Sequence, residues 1–313
     1  MTPAMSAPDR LAPAPYARPI GPLAATGWSA AILVVCYVAV STLESLRPGA
    51  QFDDVNWALL YGASVLVVIY AIGRVHAPTT RTRDLLGARP MGLLPSLAAT
   101  FMGAAAVVPL GALDAAIARK WPLAEAHAAE LTHAMAAMPR SGRLVGAIAA
   151  AVLMPIADEL FFRGVLATGV ARHRGRTIAV VTTTVAFALV SCVSDLHYLP
   201  ELLIVGALLA LARFSTGSVL GAIGAHVAWR LGDLARDAQV AGTIDPLVTA
   251  TYPFPSLPPA VLALSTGVAL ACAAVLVRYG RLGGTDERDD PQPKPLAPPT
   301  AGGTPGDDGG DPE

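Results

Sequence analysis

Apolar residues in this chain fall in long blocks, each separated from the next by a short stretch rich in Arg, Pro, Gly and acidic residues. A helix that crosses a bilayer needs about 20 mostly apolar residues. Eight blocks approach that length, near 23–43, 55–73, 91–118, 144–171, 177–194, 199–214, 217–238 and 258–278. The sixth is short, and the seventh is interrupted by His226, Arg230 and Asp233. The pattern predicts an all-α fold, a polytopic membrane helical bundle of about eight transmembrane helices. Residues 1–22 are rich in Pro and Ala and are expected to form a disordered segment. The apolar run that follows is too long for a signal-peptide core and lacks a convincing cleavage site before Glu44, so it is expected to be an anchor. Residues 23–280 then form the transmembrane domain. The tail at 281–313 is Pro, Gly and Asp and cannot bury apolar area, so disorder is expected there.

Composition agrees with the pattern. Of 313 residues, 54% are hydrophobic and only 14% charged, against about 25% charged in an ordinary soluble domain. That excludes a single soluble globular domain and a disordered regulator. A net charge of -1 gives no overall field for polyanions, so no nucleic-acid partner is expected. Cys36, Cys192 and Cys272 stand singly in apolar sequence and suggest neither a disulfide framework nor a cysteine metal site. There is no P-loop or G-x-G-x-x-G, hence no nucleotide, and no H-E-x-x-H or G-x-S-x-G.

Basic residues set the orientation. With eight spans, Arg74, Arg81, Arg83, Arg89, Arg172, Arg174 and Arg176 share a side with both termini. The positive-inside rule then puts the termini in the cytoplasm of a multi-pass integral membrane protein, with a bacterial-type plasma membrane as its setting. The segment 119–143 runs against the rule. Its helically spaced apolar residues suggest an amphipathic stretch along the interface.

Ionisable residues are costly within a bilayer and mark candidate sites. Asp158, Glu159 and Arg163 stand together in the fourth span. Glu159 and Arg163 are four apart and face one side of a helix, where they can pair. Asp158 points about 100° away, toward another partner. In the seventh span His226, Arg230 and Asp233 form one polar stripe. Phe187 and Ser191 share a face of the fifth span, with His197 just past its end and Asp114 near the end of the third. Both clusters can also be read as packing alone: a buried Asp–Glu–Arg group that fixes helix contacts, and an Arg230–Asp233 pair beside a core histidine.

The string DELFFRG at 158–164 resembles the E-E-x-x-x-R motif of the CPBP family, which includes type II CAAX prenyl endopeptidases, bacteriocin-processing enzymes and bacterial Abi proteins. The order of later elements is similar to that family's: an F-x-x-x-H helix (Phe187 to Ser191), a helix with Gly206 ending in Thr216-Gly217-Ser218, and an H-x-x-x-N helix (His226 to Arg230). The resemblance covers residues 144–234. It implies an intramembrane endopeptidase that hydrolyses a peptide bond of a membrane-associated substrate with water activated by carboxylate and histidine. It further implies Asp158 as the water-activating carboxylate, Glu159 as the second acid, Arg163 as their orienting partner and His226 at the developing oxyanion. A divalent metal ion is a cofactor the family leaves open, and the ligand count here does not support one.

Three positions depart from the family pattern. Asp158 is one methylene shorter than glutamate, Ser191 stands at the motif histidine, and Arg230 at the asparagine. His197 is the candidate to replace that histidine, and an Arg230–Asp158 pair would close the site. Two other classes stay open: a catalytically inactive relative acting as a membrane interaction or immunity protein, and a small transporter with an acidic proton relay. The lack of an internal repeat counts against the transporter.

Overall fold

The computed structural model describes residues 18–46, 54–121, 140–193, 196–243 and 258–283. Most of the expected disordered termini, and the core of the expected amphipathic stretch in 119–143, lie outside the described residues. The described residues are almost all helical and contain no strand. In chain order the elements are α1 (Pro22–Leu46), α2 (Asp54–His76), α3 (Thr82–Leu86), α4 (Leu93–Lys120), α5 (Arg140–Glu159), a π-helical stretch Leu160–Leu166, α6 (Ala167–Arg174), α7 (Arg176–Ser191), a 3-10 turn Leu196–Tyr198, α8 (Leu199–Thr216), α9 (Val219–Thr243) and α10 (Pro259–Gly283). Each expected span coincides with a helical stretch to within a few residues. Among the described residues, five helices (α1, α2, α4, α8 and α10) are long and apolar enough to cross a membrane. Length and composition therefore support the membrane helical bundle without confirming the count of eight. At 16 residues α7 is short of a full crossing.

The fourth span departs from the uniform helix its pattern predicts. Pro155 removes a backbone donor inside α5, and the helix widens into π geometry directly after Glu159. Such widening is rare and tends to mark functional segments. The Arg163 carbonyl in this stretch accepts from Nε of Arg213 at 2.9 Å, and the same guanidinium donates to Thr168 at 3.2 Å.

α9 packs against α4 and α5 in the interior, while α10 lies at the periphery against α4 and α8. Gly103 sets the α4–α9 crossing, because a Cβ there would come 2.0 Å from the Ala225 carbonyl oxygen. Small residues permit such close approach between membrane helices. On the arginine-rich side α3 ends at Gly87 in the left-handed region (φ 62°). The Gly87 carbonyl accepts from Val219, and Ser218 Oγ donates to the Arg89 carbonyl at 2.6 Å. The Thr216-Gly217-Ser218 turn is thereby fastened to the α2–α4 connection, which fixes where α9 begins. Outward faces carry large apolar side chains, among them Leu23, Tyr37, Leu66, Phe101 and Leu264. So much exposed apolar surface suits lipid rather than water.

Candidate active site

Asp158 and Glu159 end α5 next to the π stretch, and both are buried, as are Arg163 and His226. Taking charges out of water is costly unless each finds a partner, and the fold supplies different partners to the two acids. Glu159 Oε1 accepts from Nη1 of Arg163 at 3.2 Å and from Nδ1 of His226 on α9 at 2.9 Å. Asp158 Oδ1 accepts from the Tyr61 hydroxyl of α2 at 2.5 Å. The adjacent residues therefore diverge, one toward α9 and one toward α2, as the 100° helical step requires.

Arg163 is held on several sides. Its Nη2 donates to the Gly206 carbonyl of α8 at 2.9 Å, and its guanidinium lies 4.4 Å from the Phe187 ring centroid. A Cβ at Gly206 would sit 3.3 Å from Nη2 of Arg163, 3.3 Å from Phe187 and 3.1 Å from Thr184, so the glycine makes room for the guanidinium. His226 meets the edge of Phe187 and stacks on Trp229, with ring centroids 5.6 Å apart in each pair. Its orientation is thus set by one carboxylate and two aromatic rings.

The other sequence candidates lie elsewhere. Arg230 faces Asp233 at 3.7 Å and the Trp229 ring at 5.4 Å, and is partly exposed, so it does not form the expected closing pair with Asp158. Ser191 is exposed at the end of α7. His197 lies 3.5 Å from Asp114 of α4. Neither is among the partners of Asp158 or Glu159, whose partners come from α2, α9 and the π stretch. Tyr61 was missed from sequence, where a tyrosine in an apolar helix carries no local signal.

Among the described residues no group of three His, Cys, Asp or Glu side chains is arranged to hold a metal ion. Arg163 and His226 both donate to Glu159 Oε1, whereas Oε2 of the same carboxylate is buried with no hydrogen-bond partner.

Residues 140–232 match the family described as Type II CAAX prenyl endopeptidase Rce1-like, under a third of the chain but including all of the cluster around Glu159 except Tyr61. Over that segment the chain is similar to that family. No curated protein and no solved structure matches it. That likeness, together with several membrane-length apolar helices, points to an integral membrane protein.

Proposed function

We propose that the protein is an intramembrane endopeptidase of the CPBP type that hydrolyses a peptide bond of a membrane-associated substrate. The reading rests on one observation: within the CPBP segment, Glu159 is joined by Arg163 from its own helix and His226 from α9, directly beside Asp158. In this mechanism Asp158 takes a proton from water as the oxygen attacks the substrate carbonyl carbon, then returns it to the leaving amine. Glu159 holds Nδ1–H of His226, so Nε2 is the ring atom that turns to substrate. In the imidazolium form that atom donates to the oxyanion. Arg163 balances the charge of Glu159. In this reading the helical bundle lies in the membrane with both termini in the cytoplasm.

The test is cleavage of membrane-tethered peptides by purified full-length protein in proteoliposomes, read by mass spectrometry of released fragments. Cleavage is expected, and Glu159→Ala is expected to abolish it. Undiminished turnover in that variant sinks the site assignment.

A second reading has its own support: Ser191 is exposed at a helix end and Arg230 faces Asp233, so two positions of the family pattern contribute nothing to the carboxylate pair. On that reading the protein is a catalytically inactive CPBP relative that binds a membrane peptide. Saturable binding with no fragment released would favour it.

A further inference from the structure

We propose that Tyr61 is a positioning residue for Asp158, an inference that rests on the endopeptidase reading above. Tyr61 lies on α2, outside the CPBP segment, and is itself buried at 9% exposure. Its hydroxyl donates to Oδ1 of Asp158, which is 7% exposed. A buried carboxylate without a donor bears a large desolvation cost. The hydrogen bonds of Arg163 and His226 go elsewhere: Nη1 of Arg163 and Nδ1 of His226 meet Glu159, and Nη2 of Arg163 meets the Gly206 carbonyl. Tyr61 is thus the side chain that fixes Asp158.

The character of this donor matters. A phenol is rigid beyond two torsions and is anchored here in the α2–α5 interface. Asp158 is short and turns about only two side-chain bonds, so one hydrogen bond to Oδ1 sets the direction of Oδ2. A neutral donor also leaves the carboxylate its charge without a full counterion, whereas Glu159 is tied to a guanidinium. The neighbouring acids are in this way given different duties: Glu159 holds His226, and Asp158 stays free to exchange a proton. Tyr61 sets the angle at which that exchange occurs.

The experiment uses full-length protein and two readouts. Infrared difference spectra locate the Asp158 carboxyl band by its loss in Asp158→Asn, and steady-state cleavage gives kcat and KM. Tyr61→Phe is expected to displace the Asp158 band. It is also expected to lower kcat by roughly tenfold to 10²-fold with KM unchanged within about twofold, as for loss of alignment at a reacting group. If Tyr61→Phe does not accumulate folded, Tyr61→His, which keeps a ring N–H, carries the comparison: a smaller band displacement and a partial loss of kcat are expected. An unmoved band overturns the hold on Asp158 whether or not the protein cleaves peptides. A displaced band with unchanged kcat in a cleaving protein overturns the positioning role alone. No cleavage by the unsubstituted protein overturns the endopeptidase reading, and with it the catalytic part of this inference.

Discussion

Glu159 and Arg163 are both fully buried, and each is the other's main compensation. Glu159→Ala removes one partner and strands a guanidinium in the interior, a change that costs about 3–5 kcal/mol when a buried pair is broken. Thermal unfolding of the detergent-purified variant should show a clear fall in midpoint. Glu159→Gln keeps the shape and some of the hydrogen bonding, so it should unfold closer to the unsubstituted protein while still losing cleavage. A Gln variant with full turnover would mean the carboxylate charge has no part in the reaction. The Glu159–Arg163 pair was legible in the sequence, because both residues sit on one helix at a spacing that forces them together. The His226 contact was legible only as a pairing of two rare polar stripes. The partner of Asp158 was not: Tyr61 stands 97 positions away, and nothing in its neighbourhood separates it from the other tyrosines of the apolar helices. His197 shows the converse. Sequence proximity to Ser191 made it a candidate, and the 3-10 turn instead carries it to Asp114.

The position of His226 depends on how closely α9 approaches α4. Gly103→Ala would drive a methyl group into the Ala225 carbonyl, one residue before His226. Backbone cannot yield there as a side-chain tip can. Overpacking of this kind costs about 1–3 kcal/mol, occasionally more. The expected outcome is a lowered unfolding midpoint together with a loss of cleavage larger than the stability change explains; a variant with unchanged midpoint and turnover would show that the crossing is looser than described. Gly206→Ala is the milder counterpart. Its methyl would crowd Arg163 and Phe187 at 3.3 Å, and a loss of under about 3 kcal/mol is expected by the same measurement. Helix positions were legible because each is an apolar block of helix length. The shortness of α7 and the closeness of the α4–α9 crossing were not, since block length does not reveal where neighbours end a helix or how near two backbones come.

Across the whole molecule, arginines gather at one end of the bundle: Arg74 closes α2, Arg83 lies in α3 with Arg81 and Arg89 to either side, and Arg172, Arg174 and Arg176 surround the α6–α7 turn. Several stay at the surface, whereas Arg213 turns inward to bind the Arg163 carbonyl. If that end faces the cytoplasm, a fluorescent protein fused to either terminus should fluoresce in a bacterial host and an alkaline phosphatase fused there should stay inactive. The reverse result at one end would change the number of crossings from even to odd.

The π stretch bears on how this chain tolerates insertions and deletions. The π geometry of Leu160–Leu166 adds one surplus residue between the helix before it and the helix after it and so offsets their faces. Removing one residue from the stretch would restore an ordinary helix and rotate everything beyond it by about 100°. Thr168 would then turn away from Arg213, and Gly169 would lose its close contact with Ile20. A length change of one residue here acts as a frameshift of surfaces, leaving composition and hydropathy almost untouched while uncoupling α6 from the acids that precede it.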